Sequence, residues 1–161
     1  QGANHPESPP SNTAKCEQYN GTSWTEVADL NTAKSSCGHF GTQTASIAVR
    51  GAGNNTESWN GSSWTNLPAS VVVFDGGNHG GGTQTAGVVY GPRTYNATEL
   101  WDGTTWATSA KYSTSRGGNN AGDSTSGLLV GGYTGSANTN ATEEFTGATT
   151  GSATVKSIDF D

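Results

Sequence analysis

The 161-residue sequence predicts an all-β domain built from one recurring unit of four short strands. Three observations carry that prediction. One phrase is said four times: CEQYNGTSWT (16–25), TESWNGSSWT (56–65), TELWDGTTWA (98–107) and a looser TEEFTGATTG (142–151). Its glutamates, Glu17, Glu57, Glu99 and Glu143, are spaced 40, 42 and 44 residues apart, and a period of that length marks one supersecondary unit stacked or set around an axis. A second element, GTQTASIAVRG (41–51), returns as GTQTAGVVYG (82–91) and GDSTSGLLVGG (122–132). Finally, no window carries a 3.6-residue apolar period, so no helix is expected.

Each element follows from its residues. In the phrase, an aromatic (Tyr19, Trp59, Trp101, Phe145) lies two residues after the glutamate. Residues two apart on a strand share a face. Asn20-Gly21, Asn60-Gly61 and Asp102-Gly103 come next and predict a two-residue type I′ turn. The chain returns through Trp24, Trp64 and Trp106, so each phrase reads as a β-hairpin. The GTQT element reads as a buried strand bounded by turn residues. Ahead of it, 35–40, 71–75 and 113–118 form weaker candidates for a further strand, and the glycine-rich 76–82 reads as a flexible turn. The terminal 152–161, alternating at Val155, Ile158 and Phe160, is either the last strand of the last unit or one exchanged with a neighbour.

Four-stranded units of this length are blades of β-propellers, and a β-trefoil of three such units is the competing fold. The domain division is an N-terminal extension (1–13), then a repeat domain (14–161) comprising a half unit (14–30) and units 31–70, 71–112 and 113–161. The extension contains Pro6, Pro9 and Pro10 and is a poor strand. About three and a half blades do not close a ring. Closure then calls for a partner chain, further sequence or a degenerate first blade, and two copies of a half-ring would total seven.

At this point the sequence resembles the kelch and galactose-oxidase central-domain type of propeller repeat. The matching residues are Gly131-Gly132-Tyr133 after an apolar strand, Glu57 with Trp59, and the following Trp64, over roughly 14–146. The glycine pair survives elsewhere only as Gly51-Ala52-Gly53 and Gly91-Pro92, and the turn before the tryptophan is shorter than kelch repeats usually have. The wording of Asn20 to Trp24 is also similar to the Asn-Gly-Thr-Ser-Trp repeats of virion structural proteins in marine bacteriophages. That second resemblance implies a structural role on a virion appendage.

Composition narrows the function. Only 30% of residues are hydrophobic and 12% charged, but five Trp, five Tyr and four Phe fall largely in phase with the repeat, which indicates a thin-cored β protein rather than a disordered chain. A net charge of −6 with scattered Lys and Arg excludes a phosphate-neutralising stripe, so no nucleic acid is expected. No apolar run reaches the ~18 residues of a membrane span. A chain that starts at Gln1 and lacks Met fits a processed product or a fragment. Cys16 replaces the Thr of the other copies and Cys37 has no counterpart, which suggests a Cys16–Cys37 disulfide and an oxidising setting, or else two unrelated small residues.

Candidate chemistry is sparse. His5, His39 and His79 do not share a repeat position, no G-x-S-x-G elbow occurs, and Cys37-Gly38-His39 lacks the rest of a metal set. Asp123, Asp159 and Asp161 lack calcium-loop spacing. The repeated glutamates are unsuited as an acid/base pair, which needs two different environments. They read as framework, together with Trp24, Trp59, Trp64, Trp101 and Trp106. The sequons at Asn54, Asn96 and Asn140 share one repeat position and those at Asn20 and Asn60 another, so turn chemistry explains them. The copies diverge ahead of the hairpins, and His39, Phe40, His79, Arg116, Asn119 and Asn120 are the candidate ligand-binding residues there. Aromatics amid Asn, Asp and Gly suit sugar recognition. The expectation is a non-enzymatic, cofactor-free adhesive module at a virion or extracellular surface, binding glycan or a protein receptor. The alternatives are a subunit that self-assembles through unpaired strand edges and, below it, a carbohydrate-active enzyme on the same scaffold.

Overall fold

A computed structural model describes residues 12–73, 79–91, 94–147 and 154–158. The first sheet is the hairpin β1 (Cys16–Tyr19) and β2 (Trp24–Val27). Three four-stranded antiparallel sheets follow. Blade 1 holds β3 (Gly38–Thr42), β4 (Ala45–Val49), β5 (Thr56–Trp59) and β6 (Trp64–Leu67). Blade 2 holds β7 (His79–Thr83), β8 (Ala86–Tyr90), β9 (Thr98–Trp101) and β10 (Trp106–Ser109). Blade 3 holds β11 (Gly117–Gly122), β12 (Ser126–Tyr133), β13 (Asn138–Thr146) and β14 (Thr154–Ile158). The order within each sheet is sequential, and β3, β7 and β11 pack side by side as the inner strands. The fold is propeller-like, all-β, and without a closed barrel. The hairpin β1–β2 aligns with β5–β6 and β9–β10, so it is the outer half of a blade.

Local chemistry corrects three expectations. The phrase turns one residue later than a type I′ turn: only the glycines have positive φ (Gly21 97°, Gly61 96°, Gly103 96°). Glycine at the first central position is the type II′ pattern. The preceding Asn or Asp caps the loop: Asn60 Oδ1 accepts the Ser62 and Ser63 amides at 2.9 Å, and Asp102 Oδ1 those of Thr104 and Thr105 at 2.8 and 2.7 Å. In blade 2 the inner strand lies at His79–Thr83, overlapping the stretch read as a flexible turn; of the expected strand at 71–75, residues 71–73 are not in a strand and 74–75 lie outside the described residues. Three consecutive glycines are tolerated there because the strand is squeezed between β3 and β11. A Cβ on Gly80 would fall 2.9 Å from the His39 carbonyl oxygen, and one on Gly81 would strike the Gly122 carbonyl. Third, the inner strand of blade 3 lies at Gly117–Gly122 rather than at 113–118; β14 completes that blade as its outer strand, the first of the two readings of the terminal stretch.

The core lies between blades. Phe40, Ile47 and Val49 of blade 1 bury against Val89, Trp101 and Trp106 of blade 2. Val88 and Tyr90 of blade 2 bury with Leu129 and Phe145 of blade 3. The Phe40 ring sits in a notch that side chains would fill, since a Cβ on Gly87 would overlap it. Where β7 has Gly81 in place of Phe40, the larger Tyr90 in place of Val49 fills the gap and meets Phe145 edge-on at 6.2 Å.

Candidate functional site

Three of the four repeated glutamates are the hubs of buried clamps. Glu57 accepts the Asn31 and Thr32 backbone amides at 2.7 and 3.1 Å and pairs with Lys34 Nζ at 3.4 Å. Glu99 accepts the Val71 and Val72 amides at 2.7 and 3.1 Å and pairs with Arg50. Glu143 accepts the Ser113 amide at 2.7 Å and pairs with Arg116 Nη1 at 2.5 Å. Each carboxylate thus fixes the loop leading into its own blade. Burial pushes the Glu143 carboxyl up, but the Ser113 and Arg116 hydrogen bonds outweigh it and hold the group below its ordinary value. A buried carboxylate so tied acts as framework.

The cations come from two places. Lys34 and Arg116 lie ahead of the inner strand of their own blade, whereas Arg50 reaches Glu99 from the end of β4 in the blade before. Counting back from the common glycine, blade 2 has Asp75 where blade 1 has Lys34, so its own cation is missing from the sequence. Arg50 occupies the position of Gly91 and Gly131 and has φ 63°. A left-handed conformation costs a non-glycine residue about 1–2 kcal/mol, which is the cost of putting a cation there.

The GTQT glutamine is a second clamp that the sequence reading missed. Gln84 Nε2 donates to Trp59 O at 2.7 Å and Ser46 O at 3.4 Å in the preceding blade, while Trp101 Nε1 donates to Gln84 O at 2.8 Å. Gln43 does the same toward the half-blade, donating to Tyr19 O at 2.7 Å and receiving Trp59 Nε1 at 3.0 Å. The signal was present: blade 3 has Ser124 for the glutamine and Phe145, with no N–H, for the tryptophan. A third pair joins Trp106 Nε1 to Thr56 Oγ1 at 3.1 Å. Its counterparts are orphaned in a telling way. Among the described residues the buried Trp64 Nε1 has no oxygen partner, the weakly accepting Cys16 thiol standing where Thr56 stands, and the Thr98 hydroxyl has none; in sequence the last copy has threonine where the others have this tryptophan. Asn54 and Asn96, read as turn-forming sequon positions, donate to the Ser70 and Tyr112 carbonyls at 2.8 and 2.6 Å.

The predicted ligand-binding residues divide. His39, His79, Asn119 and Asn120 fall on the adjacent inner strands β3, β7 and β11, with His39 and Asn119 exposed and His79 and Asn120 half-buried. Burial, then the proximity of His39, lowers the His79 pKa below its ordinary value. These four are the ones that stay at least partly accessible. Phe40 and Arg116 are corrections: Phe40 is buried between blades 1 and 2, and Arg116 is spent on Glu143, on the carbonyls of Thr114 and Gly131, and on the Tyr112 ring. The expected disulfide is also absent. Cys16 and Cys37 are both thiols, and Cys16 Sγ donates to Ala14 O at 3.4 Å within its own segment. Burial raises both thiol pKa values, so neither is an activated nucleophile. Among the described residues no cluster of three or more His, Cys, Asp or Glu could hold a metal, and no helix is long and apolar enough to cross a membrane.

Beside the half-blade lies a cleft of about 260 Å³, lined by Cys16, Glu17, His39, Gln43, Trp59 and Trp64 among others. It lies on the face of blade 1 that corresponds to the face of blade 2 covered by Phe40, Ile47 and Val49.

No family model and no curated protein matches the sequence. Among solved structures, the chain is similar to one titled "Structure of YjhT", at 15% identity and a TM-score of 0.66, over 83% of this chain and 48% of that one. The likeness is one of fold, and the chain spans about half the length of that structure.

Proposed function

We propose that this protein is a non-enzymatic adhesive or structural module of a virion appendage or other extracellular surface, binding glycan or a protein receptor through its inner-strand residues. The observation that carries the reading is the division of labour within the repeat. The repeated glutamates of the full blades, Glu57, Glu99 and Glu143, are buried and paired, whereas His39, His79, Asn119 and Asn120 vary between units and are exposed or half-buried. Imidazole and amide groups offer donors and acceptors to sugar hydroxyls or peptide groups without committing to a reaction. The phage-like wording of the hairpins supports the setting. A glycan array followed by melting curves with each hit tests it: His79→Ala and Asn120→Ala should abolish any ligand-induced rise in Tm while leaving the apo Tm within a few degrees. Absence of binding across glycans would remove the glycan arm.

The second reading is self-assembly into a ring or filament, favoured by the exposed Tyr19 (45%) and Trp24 (67%) on the half-blade. Their counterparts Trp101 and Trp106 are buried by the blade before them. Mass measurement in solution, with Trp24→Ser as control, tests it.

A further inference from the structure

We propose that β1 is a docking edge for a β-hairpin of the repeat's own inner-strand type, carrying a Lys or Arg on its lead-in loop and supplied from outside these 161 residues. The inference deepens the assembly reading; of the four glycan-binding candidates, His39 also lines the cleft beside β1, whereas His79, Asn119 and Asn120 do not.

Three unfilled positions define the occupant. In each full blade the second strand pairs with the third in one register, Ser46↔Trp59, Ala48↔Glu57 and Val49↔Thr56 in blade 1. β1 is the counterpart of β5 and, among the described residues, pairs only with β2 and leaves its other edge unladdered. By the same register the incoming strand sets its Ser46 equivalent opposite Tyr19 and its Val49 equivalent opposite Cys16. Second, Glu17 is exposed and, among the described residues, has neither the two backbone amides nor the cation that Glu57, Glu99 and Glu143 each hold or partly hold. An acid at this position asks for a lead-in loop with a cation, which is charge complementarity of a specific kind. Third, Gln43 Nε2 reaches Tyr19 O, but the acceptor matching Ser46 O, which Gln84 uses as well, does not exist. The cleft beside the half-blade is the space that side chains equivalent to Phe40, Ile47 and Val49 would enter.

A second copy cannot supply this hairpin intact. Its inner pairs β3–β4, β7–β8 and β11–β12 are already laddered to β5, β9 and β13, and its own β1–β2 is another outer pair. Two outer pairs therefore do not sum to a seventh blade. Strand addition gives affinity through main-chain bonds and specificity through alternate side chains.

The test uses the whole chain and a synthetic peptide of residues 31–51 with Cys37→Ser, read by titration calorimetry and by hydrogen exchange. The peptide should bind and protect the amides of Cys16–Tyr19. Glu17→Gln, at an exposed site, should weaken binding about tenfold or more, as should a peptide carrying Lys34→Glu. Glu17→Lys should recover the Lys34→Glu peptide. A fusion variant, with a second copy of residues 31–55 joined directly ahead of Ala14, should bury Glu17 and abolish binding of the free peptide. No protection of β1 at saturating peptide, or binding indifferent to both charges, overturns the proposal. Glycan binding is read at His79 and Asn120, which do not line this cleft, so the two tests fail separately.

Discussion

CEQYNGTSWT and TESWNGSSWT say almost the same thing in different surroundings. In blade 1, Glu57 is fully buried and Trp59 is 4% exposed; in the half-blade, Glu17 is exposed and Tyr19 is 45% exposed. Both hairpins nevertheless fold alike, down to the tilted aromatic pairs across the strands at 5.2 and 5.3 Å. The hairpin is thus a local property of the phrase, fixed by its capped turn and cross-strand pair. Burial, and with it most of the stability, is contributed by the inner strands and the neighbouring blade.

The sharpest break of that comparison is a matched pair of substitutions. Glu57→Gln strands Lys34 in a dry site and should cost about 3–5 kcal/mol, whereas Glu17→Gln should leave the melting temperature unchanged. Denaturant titration of both variants checks this, and equal losses would refute it. Next, Phe40→Ala should cost about 3 kcal/mol or more, because the glycine notch on blade 2 cannot collapse to fill the void; the exposed Trp24→Ala should not approach that loss.

Acid probes the same division. The Glu143 pKa is depressed from an ordinary 4.5, so its contribution is complete above that value and fades as pH falls through the lower folded-state value. Thermal melts from pH 6 down to about pH 3 should show a slope that Glu143→Gln flattens. The smallest expected effect is a gain. Cys16→Thr rebuilds the Trp106–Thr56 pair for Trp64 and should add about 1 kcal/mol, read as a higher Tm with unchanged m-value.

Much of the fold was legible because it is periodic. Asn-Gly, the flanking aromatics and the 40-residue spacing specify hairpins and blades with little help from tertiary context, and the incomplete first unit followed from counting strands. What stayed hidden was relational. Glycine-rich 79–83 looks like a turn until β3 and β11 are known to press on it. Phe40 and Arg116 sit in variable stretches, and only packing reveals that one fills a notch and the other neutralises Glu143. The inner-strand candidates His39, His79, Asn119 and Asn120 were visible as divergence between copies, while the clamping role of Gln43 and Gln84 needed the neighbouring blade.

Arg50 carries a consequence for how the molecule comes apart. It ties blade 1 to blade 2 through a buried ion pair, and the Gln84 and Trp106 bonds cross the same boundary. Blade 3 keeps its cation to itself and has lost both the glutamine and the tryptophan. In a linear array whose stability is a sum of unit and neighbour energies, such unequal couplings replace uniform fraying with a hierarchy. Blades 1 and 2 should open as one cooperative block in native-state exchange, with blade 3 released earlier as a separate unit. The chain then behaves as a rigid pair carrying a detachable end.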